Sequence, residues 1–137
     1  DVFLVAGSDM KIEDHILKED LSRYPLLTLT TDQKTEQHLE KRLTDEGVDV
    51  ESLMILFKQD SIESIKLSTI NGYGMAFLPY MCIKKELYHK QLKIISVEGL
   101  TLQNDYYIIK KKASEYRDRT LLKLICYIEK ILADTIC

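Results

Sequence analysis

No stretch of the chain approaches the roughly 18 consecutive apolar residues that a membrane-crossing helix needs, so the sequence offers no helical span. Cysteine is scarce. Cys82, Cys126 and Cys137 form an odd set without metal-ligand spacing, and Cys126 and Cys137 lie too far apart along one predicted helix to bond to each other. A disulfide framework is thereby excluded, and reduced thiols are the plain reading. Basic charge is not in excess: 19 Lys and Arg against 22 Asp and Glu give a net charge of −3, which speaks against nucleic-acid binding by this segment. There is no HExxH helix, no phosphate-binding GxxxxGK[ST] loop, no repeat and no Gly/Ser linker. The opening residues are too short and too acidic for a secretory signal.

What is present is an ordinary globular composition. Hydrophobic residues make up 45% and charged residues 30% of 137 positions, enough for one domain with a single unstapled core. Asp1 leads without an initiator Met into the apolar run 2–6, which we read as the start of an excised or processed fragment. That run reads as a buried strand, stopped by Gly7 and Ser8. A polar stretch with a short helical turn near 18–22 follows, and Pro25 opens a strand at 26–30. Thr35 is positioned to cap a helix over 35–46, with Leu39 and Leu43 on one face and Gly47 at its end. The run 53–57 is uninterruptedly apolar, the pattern of a strand covered on both faces. Asp60 and Ser61 open a second helix, with Asp60 and Glu63 spaced like a capping box, and Gly72 ends it. Strands follow at 75–78, 92–96 and 106–110, a short helix at 81–88, and a long helix at 114–134 with an apolar stripe through Leu121, Leu122, Ile125, Ile128 and Leu132. Alternation of this kind predicts an α/β sandwich on a largely parallel sheet with helices on both faces.

Catalytic chemistry finds no foothold. His15, His38 and His89 sit in polar stretches with no nucleophile set beside them, and the carboxylates are scattered, so no catalytic residue, metal ligand or cofactor is assigned. Gly72-Tyr73-Gly74 superficially suggests a phosphate loop. The order is wrong, because these glycines end a helix and enter a strand. They read instead as a helix stop and a point of close packing. The basic run Lys110-Lys111-Lys112 with Arg117 and Arg119 reads as a solvated strand end. The helix starts at Thr35 and Ser61 are more suggestive, since free N–H groups at a helix N-terminus favour an anion and hydroxyls add donors. Asp60 works against an anion there unless it faces away or pairs.

Taken in order, the segments resemble the effector-binding domain of LysR-type transcriptional regulators. Leu21-Ser22-Arg23-Tyr24-Pro25-Leu26-Leu27 is similar to that family's "DL…PLI" entry, and Phe57-Lys58-Gln59-Asp60-Ser61 to its "…DS" strand end. Gly72-Tyr73-Gly74-Met75-Ala76-Phe77-Leu78-Pro79 resembles its "GxGxxxLP" strand. Lys84-Lys85-Glu86-Leu87 with Gln91-Leu92 resembles the next segment, and Tyr106-Tyr107-Ile108-Ile109-Lys110 with the last helix the closing elements. No one motif is specific; the ordered series carries the resemblance over nearly the whole chain.

The resemblance implies a periplasmic-binding-protein type II-like lobe: residues 1–8 as the first inter-lobe strand, 9–98 as the second lobe, and 105–137 as the return strand and terminal helix of an otherwise missing first lobe. It implies a small-molecule effector, an organic anion among the candidates, bound between two lobes. By position, the effector contacts fall on Thr30, Thr31 and Thr35 in one loop and Gln59, Asp60 and Ser61 in the other. It further implies a cytoplasmic protein, DNA contact only through a helix-turn-helix outside this chain, and a homodimer or higher homo-oligomer. In that family the helix matching 35–46 and the strand matching 53–58 face a second subunit; the apolar stripe of the last helix offers another route. The alternative is a lobe of a transporter's solute-binding protein, which would carry an upstream signal or lipid anchor. A small α/β enzyme would need a catalytic cluster the sequence lacks.

Overall fold

The computed structural model describes residues 1–29, 33–102 and 119–136. Two compact units form, Asp1–Asn104 and Asp105–Cys137. The first contains the strands β1 (Val2–Gly7), β2 (His15–Ile16), β3 (Leu26–Leu29), β4 (Ile55–Gln59), β5 (Met75–Pro79) and β6 (Leu92–Val97). Its helices are α1 (Gln33–Asp45), α2 (Ile62–Ile70) and α3 (Tyr80–Tyr88), with 3-10 turns at Lys18–Arg23 and Val50–Ser52. The second unit is described through one helix, α4 (Arg119–Ile136).

The strands make one sheet in the order β2-β6-β1-β5-β3-β4. β2 lies parallel to β6, and β3 parallel to both β4 and β5. β1 is antiparallel to β5 and β6, so it alone runs against the other five. The largely parallel sheet expected from the apolar runs is present. Because side chains alternate across a strand, the sheet feeds two cores. On one face Leu4, Leu26, Met75 and Ile95 pack with Leu21, with Leu43 of α1 and with Val48. On the other, Val5, Leu27, Ala76 and Leu78 pack with Ile65 of α2 and Ile83 of α3.

Glycine sets two of these approaches. A Cβ on Gly74 would meet the Pro25 carbonyl oxygen at 2.7 Å, and one on Gly7 would meet those of Thr69 and Ile70 at 2.7 and 2.8 Å. Gly74 is thus the close-packing position the sequence suggests, and Gly7 lets the end of α2 rest on β1. Gly72 (φ +80°) ends α2 as expected, with the Tyr73 N–H donating back to Ser68 O at 3.1 Å. The same six-to-one bond closes α3, where Gln91 N–H reaches Glu86 O at 2.9 Å, but there the left-handed position is held by Lys90 at φ 55°. A side chain in that region is strained. Lys90→Gly should therefore raise stability by roughly 0.5–1 kcal/mol, read as a higher denaturation midpoint at unchanged slope.

Five expectations need correction or fall outside the described residues. The strand expected at 53–57 begins two residues later, and it is not covered on both faces: Leu56 and Phe57 are 47% and 49% exposed. The cause is its place at the sheet edge, with β3 as its sole neighbour among the described strands. α1 begins at Gln33, so Thr35 lies within its first turn and is not the cap. The cap of α2 is Ser61, not Asp60, and Glu63 pairs with Lys66 at 2.8 Å instead of closing a capping box. β2 went unread, because two residues carry no periodicity. The strand expected at 106–110 lies outside the described residues, as do Cys137 and the basic run 110–112.

Candidate functional site

The end of the sheet that matters is the carboxyl edge of its parallel strands. β3 and β4 are neighbours, yet the chain leaves them toward opposite faces. α1, following β3, packs Leu39 and Leu43 into the core that holds Leu26, whereas α2, following β4, packs Ile65 into the core that holds Leu27. α1 and α2 thus leave the carboxyl ends of neighbouring strands toward opposite faces, and the crevice expected between such helices is the position at which open α/β sheets take ligands.

Of the six residues singled out from the sequence, Gln59, Asp60 and Ser61 stand together at this edge, where β4 ends and α2 begins. Ser61 caps α2 with extended backbone (φ −137°, ψ 144°); its Oγ accepts the Ser64 N–H at 3.1 Å and donates to Ser64 Oγ at 2.8 Å. The N–H groups of Ile62 and Glu63, in the first turn, have no intrahelical acceptor to reach and are the backbone donors the crevice offers. Ser64, exposed beside the cap, adds a hydroxyl that the sequence reading missed, although its spacing from Ser61 is that of a capping pair. Gln59 is turned away in part: its Nε2 donates to Ser68 Oγ on α2 at 2.8 Å, bracing strand to helix. Asp60 is exposed. Thr30 and Thr31 lie outside the described residues, and of Thr35 the helix assignment alone is described.

α3 also begins at this edge but is closed to a ligand at its first turn. Val2 pairs with Pro79, and the Tyr80 N–H donates to the Asp1 carbonyl at 3.0 Å, so the start of β1 seals it. The groups whose acidity is displaced lie elsewhere, between α2 and α3. Burial draws the Lys66 ammonium down, but hydrogen bonds and charge from Glu63 and Glu86 outweigh it and hold Lys66 above its usual range. Burial likewise pushes Glu86 up, and the bond from Lys66 more than reverses this, leaving it below the usual carboxylate range. Burial pushes the Cys82 thiol up, away from thiolate reactivity. His15, His38 and His89 are exposed. Among the described residues no group of three or more His, Cys, Asp or Glu could hold a metal ion, and no helix is long and apolar enough to cross a membrane.

The family model described as "LysR substrate binding domain" matches residues 1–127. The chain is 29% identical over 120 residues to a probable RuBisCO transcriptional regulator of Phaeodactylum tricornutum, covering 83% of this chain and 39% of that protein. It is 33% identical over 106 residues to the HTH-type transcriptional regulator CbbR of Rhodospirillum rubrum, covering 77% and 35%. The chain thus spans well under half the length of these relatives. Among solved structures, the Synechocystis PCC6803 CcmR regulatory domain in complex with 2-PG superposes with a TM-score of 0.58 at 17% identity, covering 71% of this chain and 46% of that one. At that identity the likeness is one of fold.

Proposed function

The chain belongs to the LysR substrate-binding domain family, and from that premise we propose that it is the effector-sensing and oligomerising part of a cytoplasmic DNA-binding transcription regulator, without chemistry of its own. In this reading residues 1–8 cross into the lobe, 9–98 build it, and 105–137 return to a first lobe supplied by chain outside this sequence. DNA is held by a helix-turn-helix also outside it. The effector is a small organic anion lying between the lobes. The observation that carries the reading is that α1 and α2 leave the carboxyl ends of the neighbouring strands β3 and β4 toward opposite faces, beside an open first turn of α2 whose N–H groups and positive helix end favour negative charge. Thr30, Thr31 and Thr35 are assigned to the same site by their position in the sequence after β3. Asp60 does not oppose an anion as long as its carboxylate stays in solvent. Gln59 acts by fixing β4 to α2. An effector that binds the closed and open arrangements of the two lobes unequally would shift the balance between them, and with it the grip on DNA. Oligomerisation is assigned to the exposed edge of β4.

The test compares full-length regulator carrying Ser61 with Ser61→Ala in calorimetric titration against small organic anions, 2-PG first. Loss of the cap alone costs about 1 kcal/mol of stability. Loss of an oriented first turn, with its charge-assisted bonds of about 1.5–3 kcal/mol, should weaken the effector roughly tenfold or more. A lower melting temperature with unchanged effector affinity would leave Ser61 as a helix cap and remove it from the site.

A further inference from the structure

The larger core is not fully filled. Beneath α1, a partly enclosed cavity of about 150 Å³ is walled by Leu26, Leu39, Leu43, Val50, Leu53 and Phe77. Several of these walls, Leu39, Val50, Leu53 and Phe77 among them, are partly buried side chains packed on the core and not members of its interior. Protein interiors seldom keep voids larger than a water molecule, so a space of this size calls for an occupant. Water is a poor one, since it needs two to four polar partners and the wall is almost wholly apolar. Thr28 is the exception. It lines the cavity, and its Oγ1 is shut from solvent with no hydrogen-bond partner among the described residues. An unpaired buried hydroxyl is costly, and rotation about the Cα–Cβ bond would aim it at a guest. The ionisable side chains in the described lining, His38, Glu40 and Arg42, all come from α1, and none comes from the sheet.

We propose that this cavity is a binding site for a small, uncharged, ring-sized molecule carrying one hydroxyl or carbonyl, held by apolar contact under α1 and anchored by Thr28. Apolar cavities of about this volume accept a benzene-sized guest. A formal charge is excluded because the floor of the site offers nothing to replace its hydration. Ile62 of the first turn of α2 also lines this cavity, so the site adjoins the one proposed for the anionic effector and rests on that reading of the sheet edge; the two are told apart by charge, since the anion is held at the α2 turn and the neutral guest under α1. Occupancy would tie α1 to β3.

The experiment uses the 137-residue chain, ¹⁵N-labelled, titrated with phenol, toluene and benzoate. Phenol and toluene should give saturable shifts at the amides of β3 and the C-terminal half of α1, and benzoate should give none there. Thr28→Val keeps the volume and removes the hydroxyl; it should weaken phenol about three- to tenfold and leave toluene unchanged. Leu39→Trp, which fills the cavity, should abolish binding of both. Failure of both neutral probes to saturate overturns the proposal, as does saturation that a folded Leu39→Trp variant leaves intact. If that variant does not fold, Thr28→Val decides: equal loss or no loss of phenol and toluene removes Thr28, and with it the site as described.

Discussion

Replacing Lys66 by Met should be among the most damaging single changes to this fold, costing about 3–5 kcal/mol. Lys66 is 8% exposed on α2 and donates to Glu86 Oε1 of α3 at 3.0 Å and to Glu63 at 2.8 Å. Glu63 is largely in water and loses little. Glu86 is partly buried, its side chain 14% exposed, and its second oxygen already lacks a partner among the described residues. Without Lys66 the carboxylate would be left partly desolvated, with only a backbone hydrogen bond and the charge of Lys85 to hold it. Against a total stability of about 5–15 kcal/mol, that loss should lower the melting temperature by roughly 10 °C or more. The pair itself is not a large net gain, because desolvating two charges offsets their attraction. The double variant Lys66→Met, Glu86→Leu should therefore recover most of the loss. If the double variant is as unstable as the single one, the damage comes from packing and not from a stranded charge.

The pH dependence separates the same alternatives. Glu86 is held below its unfolded value of about 4.3, so its contribution is present above that pH and is lost as pH falls through the lower, folded value. Lys66 is held above its unfolded value of about 10.4, so its contribution is complete below that pH and is lost only as pH rises through the folded value. The interaction is at full strength between the two. In Lys66→Met, burial of Glu86 is opposed only by a backbone hydrogen bond and the charge of Lys85, which raises it from its place in the pair, so the variant's deficit should be largest near neutrality and shrink on acidification toward pH 4. A deficit that stays constant from pH 7 to 4 would contradict this account.

Much of the architecture was legible because it rests on local rules. Largely apolar runs gave β1, β3, β5 and β6, and Gly47 and Gly72 marked helix ends that close with left-handed glycines. Where reading stopped, the missing information was tertiary. The run at 53–57 is as apolar as a central strand, yet β4 lies at an edge, and nothing in the run itself says which neighbour it lacks. Lys66 reads as a solvated helix position; only the approach of Glu86 from α3 makes it a buried one. Thr28 reads as an ordinary strand residue, and its unpaired hydroxyl is a property of the gap under α1. At the site, Ser61 was legible as a helix start, whereas the divergence of α1 and α2 to opposite faces follows from which side of β3 each helix covers.

The exposed edge of β4 yields the other large effect. Met54, just before the strand, and Leu56 and Phe57 within it are 50%, 47% and 49% exposed, the last two on opposite faces of an edge strand that natural sheets usually protect with charge. An apolar edge of this kind is explained if a second copy covers it. Two copies related by a twofold axis meet through the same patch, so each substitution is felt twice. A central aromatic anchor is worth about 2 kcal/mol or more. Phe57→Glu should thus cost about 4 kcal/mol of dimer, raising the dissociation constant roughly a thousandfold, while the half-exposed position spares the monomer fold. Sedimentation of the 137-residue chain at high micromolar concentration should show a dimer, and Phe57→Glu a monomer with a little-changed melting temperature. α4 supplies the competing explanation, since Leu124, Tyr127 and Ile131 are also exposed on it. A dimer that survives Phe57→Glu but is lost in Leu124→Glu would move the interface to α4 and leave the apolar edge of β4 without a partner in this chain.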